Sequence, residues 1–405
     1  MTGIAAYARL LSADAVRERC RIVRRHVAEG RSPHFTLNEG RLAEAADYVA
    51  AETRANYPDL KIPPHSRWRH FAAGGADRWA ALTQRLGGNA TERARIAIDL
   101  ATVSVLLDAG AGERWRYRET SAGQVHARSE GLAVASLELF AAGGFSSDPK
   151  RPLMADTAGL QAVDAEKLAR AFQLTPDNPL IGVERRVELL RRLGQTLAAR
   201  PDLFGQERRP GWLIDHFSAS ASGSRVPAPL VLETLLQSLA PIWPSGLVAD
   251  GTSLGDAGRH PAARADDATN GIVPFHKLSQ WLTYSLIEPL EMAGLTVAGL
   301  DRLTALPEYR NGGLLIDLGV IVPRQPFGAP LAPTSEPVVE WRALTVALMD
   351  DLLDPVRQRL GLGAQFALPH LLQGGTWNAG RKIARELRPP GGPPPMPLAD
   401  DGTVF

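Results

Sequence analysis

The segment LPEYRNGGLLIDLGVI (306–321) places Glu308, Tyr309, Arg310 and Asn311 directly before a Gly-Gly hinge, and Asp317 follows alone inside an apolar run. A carboxylate among Leu, Ile and Val loses hydration, so its pKa rises unless a cation pairs with it. Carboxylates of that kind serve general acid–base catalysis, although buried caps and salt bridges give the same pattern. A second set lies in DGTSLGDAGRH (250–260), where Asp250, Asp256, Arg259 and His260 are interspersed with Gly251, Gly255 and Gly258. Glycines let a backbone approach a ligand closely, and short acidic side chains can hold hydroxyl groups. A surface loop of helix caps is the plain alternative. A third set opens PFHKLSQWLTYSLIEPLE (274–291), where His276 and Lys277 stand at the expected start of a helix. Free backbone N–H groups there favour anions such as phosphate, and Trp281 adds aromatic surface. The alternative is a capped amphipathic core helix.

Other signatures are weaker. Gly251-Thr252-Ser253-Leu254-Gly255 fits the G-x-S-x-G nucleophile elbow, with Asp317 and His370 downstream in the right order. The elbow requires strand, sharp turn and long helix, and the following DAGRHPAARADDATNG is too rich in Gly, Pro and Asp for that helix. Phosphate-loop, dinucleotide-binding and H-E-x-x-H patterns do not occur. His65/His70 and Asp215/His216 lack the i, i+4 spacing that converges on zinc, so neither a metal nor a cofactor is expected. Cys20, the single cysteine, falls on the apolar stripe Val16, Cys20, Val23 and Val27, which makes it a core thiol rather than a nucleophile.

These residues need elements to hold them, and helical periodicity dominates the chain. VERRVELLRRLGQTLAAR (183–200) is the clearest case, with Val183, Val187, Leu190, Leu193 and Leu197 on one face. Gly30 can end the helix that carries Cys20, and Asn38 can cap the next. Further helices are expected at about 91–108, 128–141, 228–240, 276–293, 336–360 and 376–387, with Pro289 ending or kinking the fourth of these near Ile287. LLIDLGVIV (314–322) reads as a short strand or as the continuation of a helix. The stretches 201–227, 241–275 and 322–337 read as long loops. RPPGGPPPMPLADDGTVF (388–405) reads as a docked polyproline-type strap ending in an apolar cap, Val404 and Phe405.

The fold expected is therefore mainly α: one compact multi-helix domain over 1–405, with long Pro/Gly-rich loops and few short strands. Its helical N-terminal part covers about 1–205, its site-bearing part about 206–388 and its strap 389–405. With 45 Lys+Arg against 44 Asp+Glu, the chain lacks the basic footprint of a nucleic-acid-binding protein. The longest apolar stretch, IAIDLATVSVLL (96–107), is too short to span a membrane and contains Asp99. No secretory signal is evident at the N-terminus, so a cytoplasmic location is expected.

Several segments carry a resemblance to a known family: GLAVASLELFAAGGFSSDP (131–149), DGTSLGDAGRHP (250–261), PFHKLSQWLTYSLIEPL (274–290), PEYRNGGLLIDLGV (307–320), GGTWNAGRKIARELRPPGGPPP (374–395) and DGTVF (401–405). Together they resemble the uracil-catabolism protein four family over almost the whole chain. The resemblance implies a place in a pyrimidine-degradation route that opens the uracil ring of a nucleotide and releases urea through a ribosylurea-type intermediate. It also makes other enzymes of that route candidate partners. A second resemblance is to the queuosine-salvage N-glycosidase family, which is helical, distantly like DNA glycosylases, and uses an acidic residue to cleave a base from a ribose 5′-phosphate. Glu308-Tyr309-Arg310 occupies the place of that family's D-Y-R, Asp317 replaces the His before Leu318-Gly319, and Asp108 matches its acidic residue. The aromatic residues that follow there are Gly110, Ala111 and Gly112 here, which suits a smaller leaving group such as urea.

Cleaving a C–N glycosidic bond develops positive charge on the sugar. A fixed carboxylate stabilises that charge and orients water, and a second acid helps the leaving group depart. Asp317 and Glu308 fit those two tasks. Asp250 and Asp256 suit the ribose hydroxyls, and Arg310, Arg259, His276 and Lys277 suit the phosphate of a small nucleotide-derived substrate. Asp108, Tyr309, Asn311 and Trp281 complete the expected binding set. Two other readings stay open: a metal-dependent amidohydrolase using His216, His260, His276 and Asp256, and a non-catalytic ligand-binding or scaffold protein.

Overall fold

Apolar residues recurring at helical spacing account for most of the architecture. The computed structural model of the protein describes residues 3–84, 86 and 89–399. They are mainly helical, and their strands form five two-stranded pairings. The chain divides into two compact units, each gathered from separated stretches. One comprises the described residues up to His65, Leu247–Gln280 and those from Gly299 onward; the other comprises those from Ser66 to Gly246 together with Trp281–Ala298.

In the first unit, the Ala13–Ala28 helix is capped by the Ser12 hydroxyl, which accepts the Ala15 N–H. Its stripe of Val16, Cys20, Val23 and Val27 is fully buried, and Gly30 follows at φ 74°. Val16, Cys20 and Val23 share a core with Ala263, Val273, Phe275 and the Val339–Ala347 face of the long Glu336–Leu360 helix. Burial pushes the Cys20 thiol well above its ordinary range. Asn38 precedes a short 3₁₀ turn and makes no side-chain cap. The segment read as strand or helix resolves into both. A helix spans Tyr309–Asp317, and Ile321–Pro323 then pairs antiparallel with Phe35–Leu37. The Gly-Gly pair is no hinge, because Gly312 and Gly313 lie inside that helix. A Cβ on Gly312 would come within 2.7 Å of Trp341 and Thr345, so glycine is what lets the helix close on Glu336–Leu360.

The second unit holds the Ala90–Leu106, Arg128–Ala141, Val183–Ala199, Leu213–Ser220 and Ala228–Leu239 helices. Asp99, buried in the longest apolar stretch, is pushed up to about 6 by desolvation despite Arg209 at 2.6 Å and the Gly211 and Ala155 amides. Of the two outcomes expected at Pro289, an end is excluded, since the Lys277–Met292 helix continues past it. Proline removes the N–H that would bond the carbonyl four residues back. That carbonyl, on Ser285, instead accepts the Trp68 indole N–H at 2.8 Å. The stretch 201–227 is not a bare loop either. It contains two short helical turns, the Leu213–Ser220 helix and the Arg225–Pro227 strand, which pairs parallel with Thr296–Ala298.

Candidate functional site

Loop 250–260 begins as a hairpin. Val248–Ala249 pairs with Thr252–Ser253, and the turn residues Asp250 and Gly251 have φ of 45° and 76°, the Asp-Gly geometry of a tight hairpin turn. Ser253 thus lies on a strand and not on a nucleophile elbow. Exposed Asp250 accepts the Tyr7 hydroxyl at 2.6 Å, a bond that raises the phenol's pKa. Arg259 ends the next strand, Ala257–Arg259, and is exposed.

Asp256 is buried. Its carboxylate takes both Arg342 N–H groups at 2.8 and 2.7 Å and the Lys277 amide at 2.9 Å, while its carbonyl accepts the Phe275 and His276 amides. Burial raises its pKa, but the Arg342 charge and hydrogen bonds outweigh this and hold it below the usual range. Arg342 also lies 4.0 Å from the centre of the Phe275 ring. Asp256 therefore pins the strand end to the first turn of the Lys277–Met292 helix. His276 makes the corner at φ 52° and donates Nε2–H to the Leu10 carbonyl at 2.9 Å. Burial lowers its pKa, so this nitrogen serves the fold as a neutral donor.

Glu308 caps the Tyr309–Asp317 helix. One carboxylate oxygen accepts the Arg310 amide at 2.8 Å and the other the Asn311 amide at 2.5 Å. Desolvation raises its pKa above the ordinary value, against those amides and the nearby charges of Lys277 and Arg310. Arg310 reaches the Gly392 carbonyl at 2.8 Å and covers the Tyr309 ring. Asn311 is buried and donates to the Leu306 carbonyl, and its Oδ1 has no hydrogen-bond partner among the described residues. Asp317 closes the other end of the same helix, where Arg388 forks onto both its oxygens at 2.8 and 2.5 Å. At 1.5 Å per residue, Glu308 and Asp317 stand on the order of 13 Å apart along that helix. Glycosidase carboxylate pairs are roughly 5–9.5 Å apart, so these two cannot flank one bond in this arrangement.

Arg388 also donates to the Pro393 carbonyl, Met396 is buried, and Leu398 bridges to Leu331. The strap is docked as far as it is described; the expected apolar cap of Val404 and Phe405 lies outside the described residues.

The first unit thus gathers Asp256, His276, Lys277, Glu308, Arg310 and Asn311, and places Asp250, Arg259 and Asp317 at its margins. In the second unit, Asp108 and Trp281 converge on Arg67. The Arg67 guanidinium is 2.7 Å from the Asp108 carboxylate and 5.4 Å from the Trp281 ring, with His70 beside both. The sequence reading missed Arg67, Arg342 and the buried chain Ser32–Glu340–His260. For Arg342 and Glu340 the signal was charge inside an apolar run, VVEWRALTVALM (338–349); Arg67, among the polar residues of SRWRHF (66–71), had no such signal.

A family model described as "Protein of unknown function (DUF1688)" matches residues 9–405. The chain belongs to that family. Protein urg3 of Schizosaccharomyces pombe is 39% identical over 409 residues, covering 98% of this chain and 98% of the relative. Uracil catabolism protein 4 of Lachancea kluyveri is 36% identical over 430 residues, covering 97% of this chain and 98% of the relative. The resemblance to the uracil-catabolism protein four family is borne out at full length. Within this DUF1688 chain, the described residues contain no group of three or more His, Cys, Asp or Glu able to hold a metal ion. Two of the three histidines of the amidohydrolase reading have other partners: His260 bonds Glu340 at 2.9 Å and His276 bonds the Leu10 carbonyl. No helix of the described residues is long and apolar enough to cross a membrane.

Proposed function

We propose that this protein acts in uracil catabolism as an N-ribosyl hydrolase that converts a ribosylurea-type 5′-phosphate and water into urea and ribose 5-phosphate. The pathway follows from the name of the Lachancea kluyveri relative, which aligns over nearly the whole chain. The observation that carries the reaction is Glu308, a partly buried carboxyl whose pKa desolvation raises, facing the charge of Lys277. A carboxylic acid that stays protonated nearer neutrality can give its proton to the ureido group as the C1′–N bond breaks. The bonding pair leaves with urea nitrogen, water adds to C1′, and the Glu308 carboxylate takes the proton that water releases. The Lys277 ammonium favours the phosphate, and Asp256, held by Arg342 and bonded to the Lys277 amide, fixes that helix end.

The test is incubation of the full-length protein with ribosylurea 5′-phosphate, following urea and ribose 5-phosphate by NMR. Glu308→Gln keeps an oxygen for the cap but has no proton to give, and should lose at least about 100-fold in kcat, the lower range for a general acid. Release by Glu308→Gln within threefold of the parent sinks the assignment. A second reading draws on the fact that both Glu308 oxygens already serve as a helix cap: a binding protein of the same pathway, which predicts saturable binding without release.

A further inference from the structure

We infer that the Arg67–Asp108 pair in the second unit is a binding site for a planar ureide, a group in which a carbonyl oxygen sits beside an N–H. Arg67 is fully buried. Its Nε donates to Ser104 at 2.7 Å, and its Nη1 meets Asp108 at 2.7 Å and the Ser129 carbonyl at 3.1 Å. Its Nη2 is buried with no hydrogen-bond partner among the described residues. An unmet buried donor of this kind is costly, the more so when charged, and a buried ion pair is seldom better for stability than apolar packing. Both costs point to use by a ligand.

The chemistry of that ligand follows from the pair. Arg67 Nη2 offers a donor, and the Asp108 carboxylate next to it offers acceptor lone pairs. Side by side they match the C=O and N–H of a urea, an imide or a pyrimidine ring. An anion fits worse, because Asp108 already balances the Arg67 charge and Glu130 adds further negative potential. The Trp281 and His70 rings lie beside the pair, packed on each other with centres 5.6 Å apart and planes tilted by 56°, and offer it aromatic surface. The inference concerns binding alone; Arg67, Asp108 and Trp281 belong to the second unit and Glu308 to the first.

Uracil is the probe, titrated into the full-length protein and followed by calorimetry and ligand-detected NMR. Saturable binding is expected, with 1,3-dimethyluracil, which keeps the carbonyls and lacks the N–H groups, at least about tenfold weaker, the scale of one charge-assisted hydrogen bond. Asp108→Asn should weaken uracil by a similar factor with thermal unfolding still cooperative. If that variant does not fold, the two probes on the unaltered protein decide. Equal affinity for uracil and its dimethyl derivative, unchanged affinity in folded Asp108→Asn, or no saturable uracil binding, as when a water satisfies Nη2, overturns the assignment.

Discussion

Glu308 carries two demands that act in opposite directions. As a helix cap, its carboxylate is favoured by the Arg310 and Asn311 amides; desolvation opposes this and prevails, leaving the pKa raised. A proton donor must be protonated, so its contribution is full at low pH and declines as pH rises through the raised pKa. The alkaline limb of the kcat profile should therefore report this group, and any residual activity of Glu308→Gln should lack the limb. A limb that persists there assigns it to another acid. Asp317 behaves differently. Both its oxygens meet Arg388, which fastens the strap to the C-terminal end of the helix. Asp317→Asn should lower stability by about 1–2 kcal/mol, the scale of a partly exposed bidentate pair, and change kcat by less than about threefold. A loss of 100-fold, with melting unchanged, restores Asp317 to the chemistry.

At the scale of elements, Gly312 shows what a sequence conceals. Alanine in a helix interior normally gains roughly 1 kcal/mol over glycine. Here the added methyl meets Trp341 and Thr345 at 2.7 Å, and overpacking of a core costs about 1–3 kcal/mol. The second effect is the larger, so Gly312→Ala should lower the melting temperature; a rise would mean that the two helices can separate without cost. The helices themselves were legible, because burying one stripe leaves a period in the sequence. The stretches 183–199, 228–239 and 336–360 were found within a residue or so of their ends. That Pro289 does not end its helix was not legible, because the rescue comes from Trp68, more than 200 positions away. The candidate residues were legible as types but not as pairs. Nothing local to Asp256 announces Arg342, nothing near Asp317 announces Arg388, and nothing near Asp108 announces Arg67. Ion pairs leave no period, so only a lone charge in an apolar run signals that a partner exists.

At the scale of the whole molecule, the two units are interleaved along the chain, and a cut at any single point leaves at least one unit incomplete. The second unit draws Trp281–Ala298 from beyond a stretch belonging to the first. That segment brings six large buried side chains, Trp281, Leu282, Tyr284, Leu286, Ile287 and Leu290, each contributing roughly 2 kcal/mol when removed from water. It also brings Glu288, which pairs with Ser66 and Arg69, and the strand that completes the parallel pairing with Arg225–Pro227. Even half of that apolar contribution, about 6 kcal/mol, rivals the whole stability of an ordinary domain. A fragment covering 66–246 should accordingly show no cooperative thermal transition by circular dichroism, whereas 66–298, which restores the segment in its own chain, should recover one. Cooperative unfolding of 66–246 alone would show that the Ala90–Leu106, Arg128–Ala141 and Val183–Ala199 helices suffice for a core, and that the Trp281–Met292 stretch is an attachment to it.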